Sequence, residues 1–180
     1  AKFSVTNSKG NAVDTIVTGS NGIGTSKDLP YGTYTVTQIS GQTGTILCGS
    51  WTVTVSEHGK VYEYAKENPL WTATVSIHKE EKGLKTPLSA TFDLCERRSD
   101  GTIKVLETGT TDADGKLAFS RRIVYTDGIC NKSTYFIRES VAPVGYELDT
   151  TEYPVSCTSN GQKISVTVEN APILGKLELH

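Results

Sequence analysis

The stretch Thr74-Val75-Ser76-Ile77-His78-Lys79 alternates apolar and polar side chains, which is the pattern of a β-strand with one face in a core. Its inward row is Val75, Ile77 and Lys79, so a lysine takes a position where an apolar side chain is expected. Burying an unpaired charged lysine costs several kcal/mol, and the neutral amine is therefore the less costly state. The strand predicts a buried amine, which is a nucleophile in its uncharged form.

Two further strands each place a polar residue in line with their core positions. In Tyr135-Phe136-Ile137-Arg138-Glu139 the inward row ends at Glu139, and in the stretch from Ile164 to Asn170 it ends at Asn170. Attack of the Lys79 amine on the Asn170 side-chain carbonyl, with Glu139 as the catalytic residue that shuttles protons, would release ammonia and leave an uncharged amide. The sequence therefore predicts an isopeptide bond between Lys79 and Asn170.

The second half of the chain contains six short motifs. They are Ile77-His78-Lys79, Ala90-Thr91-Phe92-Asp93-Leu94, Thr111-Asp112-Ala113-Asp114-Gly115, Tyr135-Phe136-Ile137-Arg138-Glu139, Pro143-Val144-Gly145-Tyr146 and Val166-Thr167-Val168-Glu169-Asn170. Their order and spacing resemble the Cna-B type, or SpaA-like prealbumin-related, domain of Gram-positive surface adhesins and pilins. The resemblance implies a reverse immunoglobulin-like β-sandwich, a lysine-to-asparagine isopeptide bond and a load-bearing extracellular stalk.

Composition also predicts an all-β protein. The 180 residues include 17 Gly and no Met, and the chain is rich in Thr and Val. The formal charge of −2, with acids and bases mixed along the chain, indicates no nucleic-acid partner. No apolar run is long enough to predict membrane insertion, and neither end has a signal-peptide or sorting-signal pattern. We therefore expect an internal fragment or a processed product of a larger protein.

An internal repeat predicts two tandem Ig-like β-sandwich domains. Ala1-Lys2-Phe3-Ser4-Val5 parallels Ala90 to Leu94, and Glu67-Asn68-Pro69 parallels the segment that begins at Glu169. The predicted boundaries are 1–69 for a first domain that lacks its opening strand, and 73–172 for a complete one.

The first domain is not expected to form the bond. Gln38 stands at the position of the acid, and a glutamine cannot exchange a proton as a carboxylic acid does. The reactive lysine would lie upstream of Ala1. Residues 173–180 resemble the opening of the strand at Ala73 to His78, and we expect them to be the start of a following repeat or a tail.

The four cysteines predict two disulfides in an extracellular chain, with three connectivities open. If the first and last strands of domain 2 run parallel, as the resemblance implies, Cys95, Cys130 and Cys157 fall at its amino-terminal pole. Cys48 then falls at the carboxy-terminal pole of domain 1. This arrangement favours the pairs Cys95 with Cys130 and Cys48 with Cys157. A zinc site is the alternative, but no Cys-x-x-Cys spacing occurs.

No other group of residues indicates turnover catalysis, a cofactor or a metal. The histidines are isolated, and Asp112-Ala113-Asp114-Gly115 predicts a turn between strands more simply than a calcium site. We expect a single self-crosslinking event and no enzyme activity.

The predicted function is a spacer module of a cell-wall-anchored surface adhesin or pilin, extracellular on a Gram-positive bacterium, with neighbouring repeats of the same protein as partners. The alternative is a binding module for a host matrix protein or glycan, which an exposed aromatic or apolar patch would favour. Head-to-tail self-association is a further expectation, with Leu177-Glu178-Leu179 of one molecule filling the vacant edge of domain 1 in the next.

Overall fold

The computed structural model describes residues 1–126 and 133–179. The chain divides into two compact units, Ala1–Leu70 and Trp71–His180. Every helix or strand element among the described residues is a β-strand, which confirms the predicted all-β fold. In the same residues there is no helix that is long and apolar enough to cross a membrane.

Unit 1, residues 1–70, is built on a single antiparallel four-stranded sheet. Its strands, in the order β2-β1-β3-β4, are β1 (Lys2–Asn7), β2 (Ala12–Val17), β3 (Gly32–Ser40) and β4 (Trp51–Val55). Inward-facing residues of these strands form a small buried core of Val5, Tyr34, Val36 and Val53. The segment 56–69 forms no strand.

Unit 2 consists of two sheets around a larger core. Its strands are β5 (Thr72–Glu81), β6 (Thr91–Arg97), β7 (Ile103–Thr110), β8 (Lys116–Ala118), β9 (Ile123–Val124), β10 (Thr134–Val141), β11 (Tyr153–Val155) and β12 (Gln162–Asn170). One sheet has the order β11-β10-β6-β7, and the other has the order β12-β5-β8 with β9 also pairing with β5. Buried apolar side chains from both sheets fill the space between them: Val75, Ile77 and Val168 from one, and Phe92, Leu94 and Ile137 from the other.

Strands β5 and β12, the first and last of unit 2, run parallel and in register from Gln162 to Asn170. The alternation predicted for β5 is confirmed, because Val75, Ile77 and Lys79 are each at most 2% exposed. Lys79 pairs with Val168, whose side chain faces the core as Asn170 does. The register therefore brings the inward ends of the two strands together.

The sheet of unit 1 has the same strand order as one sheet of unit 2. The order β2-β1-β3-β4 corresponds to β7-β6-β10-β11, and all of these pairs are antiparallel. Unit 1, which is described throughout, has no counterpart of the sheet that β5, β8 and β12 form in unit 2. Two loop residues, Leu29 and Tyr62, pack against the buried core of its sheet.

Candidate functional site: a buried lysine, glutamate and asparagine

Three strands of unit 2 bring the three predicted site residues together. Lys79 lies near the end of β5, Asn170 is the last residue of β12, and Glu139 lies on β10 in the facing sheet. Their exposed fractions are 0% for Lys79, 2% for Asn170 and 4% for Glu139. Each continues the inward row of its strand, so the alternation that buries apolar residues also buries this polar group.

The amine and the acid contact different parts of the Asn170 carboxamide. Lys79 Nζ lies against Asn170 Oδ1. Asn170 Nδ2 donates a hydrogen bond of 2.9 Å to Glu139 Oε2. The other carboxyl oxygen, Glu139 Oε1, lies 3.5 Å from Lys79 Nζ. The acid is thus placed between the incoming amine and the nitrogen that would leave.

Backbone groups of the loop between β10 and β11 complete the site. The N–H of Asp149 donates to Glu139 Oε2 over 2.8 Å, and Asn170 Nδ2 donates to the carbonyl oxygen of Glu147 over 2.7 Å. Glu139 Oε1 is buried and has no hydrogen-bond partner among the described residues. The carboxyl group therefore has one oxygen fixed by two donors and the other directed toward Lys79.

Burial changes the chemistry of the Lys79 amine. Removal from water lowers the pKa of Lys79, and the neighbouring Glu139 opposes this shift without cancelling it. A lowered pKa raises the fraction of neutral amine, which is the nucleophilic form. The site therefore holds an amine, a carboxamide carbonyl and a carboxyl group within contact distance.

A turn fixes the backbone of Lys79. The Lys79 N–H donates to the carbonyl oxygen of Gly115 over 2.6 Å, and the N–H of Leu88 donates to the Lys79 carbonyl over 3.1 Å. Asp112 to Gly115 forms the predicted turn, and the Asp112 side chain accepts hydrogen bonds from the backbone N–H groups of Asp114 and Lys116. The sequence indicated the turn but not its contact with Lys79.

Unit 1 contains a closely similar network without the amine and the acid. Gln38 is 4% exposed, and its Oε1 accepts hydrogen bonds of 2.8 Å from Asn68 Nδ2 and from the N–H of Cys48. Asn68 Nδ2 also donates to the carbonyl of Ile46 over 2.7 Å. Lys66, two residues before Asn68 in the sequence, is not part of this network. Its Nζ lies over the Trp51 ring, 4.9 Å from the centroid.

Cys48, Cys95 and Cys157 form no disulfide with one another in the described part of the chain. Cys48 is partly buried, and Cys95 and Cys157 are buried. Burial raises the pKa of both the Cys95 and the Cys157 thiols. Cys130 lies outside the described residues, so the predicted pair of Cys95 with Cys130 stays a prediction. The predicted pair of Cys48 with Cys157 would join the two units and also stays a prediction. No cluster of three or more metal-ligating side chains occurs in the described part of the chain.

The sequence matches the family described as SpaA, prealbumin-like fold domain, over residues 1–69 and again over 73–172. The chain belongs to this family. No curated protein sequence matches it.

Solved structures with a similar fold include the TIE protein of Bacillus anthracis, with a TM-score of 0.68 and 21% identity over 94% of this chain and 30% of that chain. The chain therefore spans less than a third of the TIE protein. It also aligns with a C-terminal fragment of the pilus adhesin SpaC from Lactobacillus rhamnosus GG, with a TM-score of 0.49 and 17% identity over 98% of this chain and 91% of that chain.

Proposed function

We propose that the chain is a spacer module of an extracellular surface protein or pilus of a Gram-positive bacterium, stiffened by an isopeptide bond between Lys79 and Asn170. The observation that carries the proposal is the buried contact of the Lys79 amine with the Asn170 carboxamide, whose nitrogen donates to Glu139. Family membership supports the location, because the resemblance is to domains of surface adhesins and pilins. Attachment to the cell wall and neighbouring repeats as partners belong to the same proposal.

In the reaction, the neutral Lys79 amine attacks the side-chain carbonyl carbon of Asn170. Glu139 takes a proton from the attacking nitrogen and delivers a proton to Asn170 Nδ2, which leaves as ammonia. One C–N bond forms and one breaks, so no oxidant, reductant or co-reactant is needed. The product is an uncharged amide in place of a buried amine, and the residues react once and are consumed.

The bond would join the first and last strands of unit 2. Tension applied to the two ends of this unit enters through β5 and leaves through β12. With Lys79 joined to Asn170, the path of the force crosses the bond and bypasses the residues between them. A module of this kind carries tension without lengthening, which is the property that a stalk requires.

Stretching single molecules by their two ends tests this function. Lys79 and Asn170 are 91 residues apart. In the wild-type chain the bond should prevent the segment between them from contributing to the length of the fully stretched molecule. The Glu139→Gln chain should release it, adding roughly 300 Å at about 3.4 Å per residue. Unit 1 should extend equally in both chains and serves as the internal control. Release of the full length by wild-type protein would contradict the proposal.

A second proposal is head-to-tail self-association through residues 173–179. This segment forms no strand and exposes Ile173, Leu174, Leu177 and Leu179 at 63%, 85%, 87% and 85%. Residues 60–68 of unit 1, which align with β12, also lack a strand partner. We propose that the tail of one molecule pairs beside residues 60–68 of the next, as β5 pairs with β12. Leu177 and Leu179 would take the inward places of Val75 and Ile77.

Light scattering over a range of concentrations tests the association. Because Gln38 cannot shuttle protons, the contact should be non-covalent and should grow with concentration. Leu177→Asp and deletion of residues 173–180 should each abolish it. Lys176→Ser, a change on the outward side of the same segment, should leave it intact. Equal association by all variants would exclude the tail as the contact.

A further inference from the structure

The loop between β10 and β11 holds the proposed reacting groups in place through its backbone. The carbonyl of Glu147 accepts from the Asn170 amide nitrogen, and the N–H of Asp149 donates to Glu139. The loop is also tied to the chain after β12, because the N–H of Glu147 donates to the Ala171 carbonyl over 3.1 Å and that of Ile173 donates to Gly145 over 2.8 Å. Its conformation therefore sets the orientation of both the acid and the amide.

The side chain of Asp149 fixes that conformation. Its carboxylate accepts a hydrogen bond of 2.9 Å from the N–H of Thr151 and one of 2.5 Å from the hydroxyl of Tyr153. Tyr153 lies on β11 opposite Ile137, two residues before Glu139, so it is anchored in the sheet that carries the acid. The hydrogen bond thus connects the loop to the strand pair beneath it.

The protonation states suit this arrangement. Burial would raise the pKa of Asp149, but hydrogen bonds from Thr151 and Tyr153 outweigh it and hold the pKa below its usual range. Burial, together with the hydrogen bond to Asp149, raises the pKa of Tyr153 to about 12. At neutral pH the pair is therefore a carboxylate acceptor and a phenol donor.

Unit 1 lacks this pair of side chains. Cys48 supplies the backbone N–H that Asp149 supplies in unit 2. Trp51 pairs with Val36 as Tyr153 pairs with Ile137, and its indole N–H is buried without a hydrogen-bond partner in the described residues. The unit with Gln38 at the position of the acid also lacks the anchor, which associates the anchor with the acid rather than with the fold of the sheet.

We propose that Asp149 and Tyr153 are positioning residues for isopeptide formation, because their hydrogen bond holds the β10–β11 loop so that Glu139 and Asn170 meet in a reactive orientation. The inference rests on the function proposed above. Neither residue has a side-chain hydrogen bond to Lys79 or Asn170 among the contacts described, so both position the site through Glu139 and the loop. The Asp149 carboxylate also acts on Lys79 at longer range, where its charge opposes the lowering of the Lys79 pKa.

The test follows ammonia loss by intact mass in full-length chains that are isolated unfolded in denaturant and refolded by dilution. Tyr153→Phe and Asp149→Ala should each slow the loss roughly tenfold, which is the effect expected for one hydrogen bond to a charged group. The double variant should be no slower than the slower single one, because the two residues act as a unit. Asp149→Asn keeps one acceptor oxygen and should restore part of the rate.

Tyr135→Phe is the matched control, since it removes a hydroxyl from a buried tyrosine of β10 in the core. It should link at the wild-type rate. Equal slowing by this control would overturn the inference, because the effect would be a general loss of stability. Wild-type protein that keeps its ammonia would remove the proposed function itself. Wild-type protein that links, with Tyr153→Phe and Asp149→Ala at the same rate, would overturn the positioning role alone.

Discussion

Lys79 has the most unusual environment of the residues in the site. Its side chain is fully buried in a row that begins with Val75 and Ile77, and the charged form of a lysine is costly there. Glu139 offsets part of that cost while Lys79 is unreacted. Conversion of the amine to an amide would remove the cost permanently, which gives the proposed reaction a driving force from the folded structure.

The lowered pKa of Lys79 predicts how the free energy of unfolding depends on pH in a chain that cannot form the bond. Asn170→Ala keeps the amine beside Glu139. Because the folded-state pKa of Lys79 lies below its unfolded value, the unfolded chain binds more protons, and the free energy of unfolding should rise with pH. The rise should begin at the lowered pKa and stop near the ordinary lysine value of about 10.4.

Thermal melts of unit 2 in the Asn170→Ala and wild-type chains, between about pH 7 and pH 10, check this dependence. The linked wild-type protein is the control. Its amide nitrogen does not titrate, so the rise in the free energy of unfolding that Lys79 causes should be absent. Identical pH profiles for the two chains would show that Lys79 is not the titrating group.

At the scale of elements, the strands place Lys79, Glu139 and Asn170, and the loops and turns between strands hold them in position. The turn before β8 contacts the backbone of Lys79 directly. Gly115 has a φ of 72°, and a Cβ at this position would overlap the Lys79 carbonyl oxygen. The turn therefore requires glycine for two reasons, its left-handed backbone and its close approach to β5.

Gly115→Ala should destabilise unit 2 by roughly 3 kcal/mol, the sum of left-handed strain and steric overlap. Gly101→Ala is the matched control: Gly101 has a φ of 83° and no atom within 4 Å of the place where an alanine methyl group would lie, so only the strain of roughly 1 kcal/mol should appear. Both are best measured by denaturant unfolding in the Glu139→Gln background, where the chain is unlinked. Equal losses for the two variants would contradict the contact with Lys79.

Side-chain alternation was sufficient to predict which residues of β5, β10 and β12 face inward. Two-residue periodicity places Lys79, Glu139 and Asn170 in inward rows that are otherwise apolar. Their amine, carboxyl and carboxamide groups are known from the residue type alone. The contributions of Glu147, Asp149 and Gly115 could not be predicted in the same way. Their direct contacts with Glu139, Asn170 and Lys79 are made by backbone N–H and C=O groups, which every residue has, and the positions of these groups depend on loop conformation.

At the scale of the whole molecule, the two units share the strand order of one sheet but differ in whether a second sheet packs against it. Unit 2 has a second sheet, and the proposed bond joins its first and last strands. Unit 1 has one sheet, and Gln38 in place of the acid keeps the hydrogen bonds without the chemistry. We therefore expect the two units to differ widely in stability.

Calorimetry should show a lower transition for unit 1 and a higher one for unit 2. Closing the loop between Lys79 and Asn170, 91 residues apart, should stabilise unit 2 by about 4–5 kcal/mol, by analogy with disulfides. Glu139→Gln should lower the transition of unit 2 and leave that of unit 1 in place. A single transition unaffected by the substitution would argue against a crosslink.

The intact mass of the denatured and reduced wild-type chain is the decisive measurement for the bond between Lys79 and Asn170. This mass should be lower than that of the sequence by one ammonia, and the Glu139→Gln chain should have the full mass of its own sequence. Reduction removes any disulfide contribution, so the difference reports the isopeptide bond. A wild-type mass equal to that of the sequence would show that the bond between Lys79 and Asn170 does not form.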